Sequence, residues 1–191
     1  MKLYAFILCV FICFSCDEIH VPKPKAFLSL DYPKAIYHKS ELDVPFEFEK
    51  NKLAQVRVSK KNNKLKGIIF RYPALKASVF INYKKIEDNF ENYISDARSM
   101  TKKHLKVADE ISERMYENKQ ENLYGMFYDL KGNVASQSQF YVTDSTQHFI
   151  SGALYFETKP NYDSILPAVN YIQKDLMHFI ESLRWKKPLS F

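Results

Sequence analysis

The residue with the most definite chemistry lies near the start of the chain. Cys16 follows Ser15 and an uncharged run, residues 3–14 (LYAFILCVFICF), that itself follows Lys2. Twelve apolar residues are too few to span a bilayer, which takes about 20. They match instead the apolar region of a secretory signal, normally about 7–15 residues long. A small residue directly before a cysteine, then Asp17 and Glu18, is the pattern of a bacterial lipobox, with Cys13 where leucine is usual. The chemistry expected is thioether formation between the Cys16 thiol and a diacylglyceryl group, cleavage of the Ser15–Cys16 bond, and acylation of the new amine. One acyl chain holds a protein to a membrane only marginally, whereas two or more anchor it stably. Residues 1–15 are therefore read as a signal peptide, Cys16 as the lipidated residue, and membrane lipid as the first partner.

The other residue types that could do chemistry are weaker candidates. Ser138, Asp144 and His148 fall within a dozen positions and invite a Ser–His–Asp reading. Asp144 lies in Asp144-Ser145-Thr146, however, where Asp is favoured by turn geometry, and no oxyanion-hole loop is evident. Gln137, Gln139, Tyr141 and Thr143 are spaced by two, so on a strand they share one face. That row is expected to be an exposed polar surface able to meet a partner or a glycan. The five histidines, at 20, 38, 104, 148 and 178, form no HExxH or other close metal pair, and GxSxG, the Walker loop and GxGxxG are absent. No catalytic residue, metal or cofactor is assigned.

Composition narrows the field further. All three cysteines lie at 9, 13 and 16, so the folded body has no disulfide, thiol nucleophile or Cys-ligated zinc. The chain is 46% hydrophobic and 26% charged, with 15% aromatic residues, which implies a globular body rather than disorder. The net charge of +6 reads as dispersed, with Lys60-Lys61-Asn62-Asn63-Lys64-Leu65-Lys66 as its densest cluster. A nucleic-acid site would need aromatic residues woven into such a patch, and it conflicts with export. The cluster is read as a solvated hairpin loop, with weak attraction to anionic lipid head groups as the alternative.

The elements that must carry these residues follow from periodicity. Residues 16–26 hold Cys16, Pro22 and Pro24 and read as a tether; residues 27–191 read as one domain. Strands are expected at 27–32, 46–49, 55–59, 67–70, 77–83, 123–130, 135–143 and 148–157. A helix is expected from a capping box at Asp88 and Glu91 through Phe90, Ile94, Ala97, Thr101, Leu105 and Ala108. Residues 112–123 are polar and read as a loop or helix end. A second helix begins near Asp163 or Ser164, with Pro167 in its first turn, and carries Ile165, Val169, Ile172, Leu176, Phe179 and Leu183 at spacings of four and three. Trp185 is expected to close the core. Strands joined by short turns pair antiparallel. The order predicts an α+β fold, an antiparallel sheet packed by two amphipathic helices.

Several stretches also resemble a known family. They are KPKAFLSLDYP (23–33), PFEFE (45–49), YGMFY (124–128), GNVASQSQFYVTDST (132–146), PNYDS (160–164) and RWK (184–186). In that order they resemble the gliding motility lipoprotein GldD family of the Bacteroidota. The segment 132–146 is the most specific, because nothing in general physics demands it. The chain departs from the family in a short tail after Trp185 and a lysine-rich stretch from Lys50 to Lys66. The resemblance implies a lipid-anchored, non-enzymatic accessory of the gliding machinery and the type IX secretion apparatus. It would sit in the cell envelope on either membrane, face the periplasm, and contact machinery proteins rather than nucleic acid. No functional residue carries over except Cys16. An envelope hydrolase using Ser138, Asp144 and His148, or a small-molecule or glycan-binding lipoprotein, is the alternative.

Overall fold

The computed structural model describes residues 32–158 and 161–186. Cys16, the tether and most of the strand expected at 27–32 lie outside them; Tyr32 itself is irregular. A seven-stranded antiparallel sheet forms the body, in the order β4-β5-β6-β10-β9-β8-β7. Its strands are β4 (Gln55–Lys61), β5 (Lys64–Tyr72), β6 (Ala77–Lys85), β7 (Glu110–Asn118), β8 (Leu123–Lys131), β9 (Ser138–Thr143) and β10 (His148–Phe156). Helix α1 (Phe90–Lys102) links β6 to β7, and α2 (Tyr162–Ser182) follows β10. Two consecutive meanders, β4–β6 and β7–β10, thus meet where β6 pairs with β10.

The two helices cover opposite faces. One face presents Phe70, Val79, Phe127, Phe140, Val142, Ile150 and Leu154 to Ile172, Leu176, Phe179 and Ile180 of α2. This is the main core, and Phe179 packs its ring against Phe48, Phe70 and Phe140 with centroids 5.2, 5.5 and 6.0 Å away. The opposite face presents Tyr128, Leu130, Tyr141 and Phe149 to Phe90, Tyr93, Ile94 and Ala97 of α1. Phe80 of β6 lies on that second face beyond α1 and is 44% exposed.

Two small ribbons close the α2 side. β1 (Tyr37–Lys39) pairs with β3 (Glu49–Asn51), and β2 (Phe46–Glu47) with β11 (Arg184–Trp185). A buried carboxylate ties the first ribbon to α2. Asp175 accepts from Tyr37 Oη and Asn51 Nδ2, both at 2.8 Å. Burial raises its pKa, and those donors pull the other way. Isolated ionised groups are costly in an interior, so this one is placed where donors converge.

The antiparallel α+β fold is as expected; several local expectations are not. Residues 112–118 belong to β7, an edge strand whose charged side chains are tolerated because that edge faces water. Helix α1 ends at Lys102, and Leu105 is 63% exposed after it. The capping box does not form: Asn89 is the cap residue, and its Oδ1 accepts from the Glu87 amide instead. Helix α2 starts at Tyr162, so Pro167 is its sixth residue rather than part of a first turn.

Candidate functional site

The row Gln137, Gln139, Tyr141 and Thr143 is not a surface. All four are buried, none more than 7% exposed. Gln137 precedes β9, Gln139, Tyr141 and Thr143 lie within it, and α1 and the neighbouring segments cover them. Thr101 Oγ1 of α1 donates to Gln139 Oε1 at 2.9 Å, and Gln137 Nε2 donates to the Val134 carbonyl at 2.8 Å. Tyr141 stacks on Phe149 with centroids 5.7 Å apart, and Thr143 Oγ1 donates to the His148 carbonyl at 2.7 Å. β9 lies in the sheet interior, and buried polar groups there must find partners. A partner-binding role for these four residues is therefore withdrawn.

Ser138, Asp144 and His148 do not assemble either. Ser138 pairs with Leu154, six residues along β10 from His148, a separation of about 20 Å at strand rise. Its hydroxyl is held by Gln173 Nε2 of α2 at 2.9 Å. Asp144 works as a turn residue: its Oδ1 accepts from the amides of Thr146, Gln147 and His148 at 2.8–3.0 Å. Burial disfavours its charge, but those three amides outweigh it and hold the carboxyl below the usual range.

His148 has a different set of neighbours. Its ring stacks on Trp185 at 4.8 Å, with the planes 15° apart, and its Nδ1 lies 2.8 Å from Tyr83 Oη. Burial lowers the His148 pKa, with Lys85 adding to the effect and Asp144 opposing it. Burial also raises Tyr83. The contact engages Nδ1 with the phenol and leaves Nε2 as the ring nitrogen turned to other groups. Clefts open on both sides of His148. One is lined by Asn122, Asp144, Gln147, Trp185 and Lys186; the other, of about 570 Å³, by Lys60, Asn63, Leu65, Lys85 and Lys186. The pairing of β11 with β2 brings Trp185 here from the far end of the chain. Trp185 is partly buried against the core, as expected, but no sequence signal places it on His148.

The decisive comparison is with families. The model of gliding motility lipoprotein GldD matches residues 17–185. The chain belongs to that family. Its segment 132–146, the most specific part of the resemblance, forms the loop, strand and Asp144 turn that build the sheet centre and this end of it. No individual curated protein matches the sequence. Membership makes the protein a membrane-anchored envelope lipoprotein of gliding motility. No helix among the described residues is long and apolar enough to cross a membrane, and no group of three His, Cys, Asp or Glu among them could hold a metal ion.

Proposed function

We propose that this protein is a non-catalytic accessory of gliding motility and type IX secretion, tethered through acylated Cys16 and acting by contact with machinery proteins on the periplasmic side. The family match over residues 17–185 carries this reading. Two observations support the non-catalytic part. Ser138 lies on β9 opposite Leu154, six residues along β10 from His148, and the Nδ1 of His148 is engaged with Tyr83 Oη.

The contact surface best supported is the edge strand β7. It pairs on one side only, with β8, over nine residues from Glu110 to Asn118. Its outer row of backbone groups is a template for strand addition. Met115, at its centre, is 78% exposed. Deleting the gene should abolish surface spreading and secretion of large cargo, and the wild-type gene should restore both. Cys16→Ala should release the protein from the membrane fraction and remove function. Met115→Glu should leave folding within about 0.5 kcal/mol of wild type, as exposed substitutions generally do, yet reduce spreading and secretion several-fold. Normal secretion in the deletion strain would end the proposal; full function of Met115→Glu would remove β7 from it.

A further inference from the structure

The charge of this chain is not dispersed. From Lys50 to Ile86 there are eleven Lys and Arg residues and no Asp or Glu. The other 154 residues carry 17 basic against 22 acidic side chains, so the whole positive surplus resides in one stretch. That stretch is the wing β4–β5–β6. Such asymmetry points to a polyanionic partner.

Antiparallel pairing gathers part of this charge at one end of the sheet. The β4–β5 turn, Asn62 and Asn63, has both residues at positive φ (52° and 58°), a geometry asparagine tolerates and which makes a tight hairpin. Lys60, Lys61, Lys64 and Lys66 flank it. β6 runs back toward the same end and finishes at Lys85, which pairs with His148. Lys186 arrives with β11, its amide bonded to the Pro45 carbonyl. Lys60, Lys85 and Lys186 thus line one cleft with His148, and Asp43 is the acidic residue in its wall. None of these three lysines makes an ion pair among the described residues, whereas nearby Lys84, Lys119 and Arg184 pair with Asp96, Glu117 and Glu121. Glu87 and Asp88 follow Lys85, so the excess belongs to the hairpin and cleft rather than to every residue at this end.

We infer that this end of the sheet docks on the anionic phospholipid surface of the membrane that holds the anchor. The inference rests on the lipid anchor at Cys16. Tyr32, where the described chain begins, has its ring 5.2 Å from that of Tyr171 on α2. From Tyr171 to Ser182 is about 17 Å of helix, and Trp185 is three residues further. Tyr32 lies sixteen positions after Cys16, a span that fully extended reaches about 55 Å. The anchor can therefore sit in the same membrane that the cleft touches. Juxtamembrane lysines are drawn to anionic lipid, and two weak attachments add through their high effective concentration. Docking here leaves the outer edge of β7, across the sheet from β4, free for a protein partner.

Trp185 is the chain's single tryptophan and lies beside the cleft, so its fluorescence reports docking. Lipidated full-length protein, purified from membranes, is reconstituted into vesicles of phosphatidylcholine alone or with about one-third phosphatidylglycerol, each containing head-group spin-labelled quencher. Quenching should be several-fold stronger on the anionic vesicles and fall to the neutral level in roughly 0.5 M salt. The triple variant Lys60→Glu, Lys64→Glu, Lys85→Glu should lose that difference. A charge-matched control, Lys102→Glu, Lys103→Glu, Lys106→Glu at the end of α1, should keep it. Equal quenching on both vesicles, or equal loss in both variants, overturns the docking surface while leaving the anchor intact. Protein that fails to float even with neutral vesicles overturns the anchor, and docking with it.

Discussion

The two outer parts of the sheet handle charge in opposite ways. On the β7–β8 side, charges face each other across the strands and cancel. Arg114 bonds Asp129 at 2.9 Å and Lys131 bonds Glu110 at 2.8 Å; where β7 ends, Lys119 also lies 3.5 Å from Glu117 of the same segment. On the β4–β5 side there is little to cancel, because acidic residues are missing from the whole stretch 50–86; among the described residues Arg71 reaches a carboxylate, Glu157, from outside that stretch at 3.6 Å. Opposite charges across a strand pair stabilise it by a few tenths of a kcal/mol, and like charges cost about as much. The β7 side is therefore electrostatically self-contained. The β4 side keeps its cations in solution and is held by what lies beneath them: Phe70, Val79 and Ile81 on the aromatic cluster around Phe179. One wing is built for stability at its surface, the other for stability only in its core.

That contrast can be broken at its strongest point first. Phe179→Ala removes the ring that Phe48, Phe70 and Phe140 share, and should cost about 3–5 kcal/mol. Denaturant titration should show a single, earlier transition; a loss below about 1 kcal/mol would mean that the α2 core does not hold the basic wing. Asp175→Ala comes next. It leaves buried Asn51, and Tyr37 with it, short of an acceptor, and should cost about 2–4 kcal/mol.

A smaller effect tests the paired wing. Burial raises the Asp129 pKa and Arg114 opposes that rise; Asp129 Oδ2 takes the Arg114 bond, while its buried Oδ1 has no hydrogen-bond partner among the described residues. Arg114→Met should cost about 1–2 kcal/mol near neutral pH. The sign of its pH dependence follows from linkage. A carboxyl whose folded pKa is raised binds protons more readily when folded, so stability falls as pH rises from the unfolded to the folded pKa and is complete below the unfolded one. Removing Arg114 raises Asp129 further, so the variant's deficit should shrink on acidification toward pH about 4. A deficit that grows on acidification would show that the pair is not what stabilises the wing. The smallest effect is expected from Lys64→Glu, which should change stability by no more than about 0.5 kcal/mol and slightly raise it at low salt by relieving like-charge repulsion. A large loss would mean that the lysines are structural and not a surface held for a partner.

The elements read from sequence differ in how well they survive contact with the structure, and the reason is the same each time. Alternation at 77–83, 123–130 and 148–157 marked true strands because each buries at least one apolar face. The stripe from Ile172 through Phe179 marked a true helix for the same reason. Residues 112–118 bury almost nothing, so no periodicity announced β7; only its partner β8 makes it a strand. The α1 stripe continues in sequence to Leu105 and Ala108, but the helix ends at Lys102, just after the Thr101 hydroxyl meets Gln139; Leu105 is exposed, and Ala108 packs on the second core from the segment beyond the helix. Polarity does not report exposure at Gln137, Gln139 and Thr143: each is buried and makes a hydrogen bond within the fold, although Gln137 Oε1 and Gln139 Nε2 have no partner among the described residues.

The sequence by itself determined the local facts: cysteines confined to positions 9, 13 and 16, the strand and helix periods, and the family to which the chain belongs. Tertiary structure alone decided which residues meet. It put α1 and α2 on opposite faces and buried the polar row between α1 and its neighbouring strands. It also separated Ser138 from His148, stacked Trp185 on His148, and drew Lys60 of β4, Lys85 of β6 and Lys186, just past β11, into one cleft. Periodicity reports the direction of a side chain relative to its own backbone, whereas a site depends on what other elements bring to that direction, and only the folded chain supplies it.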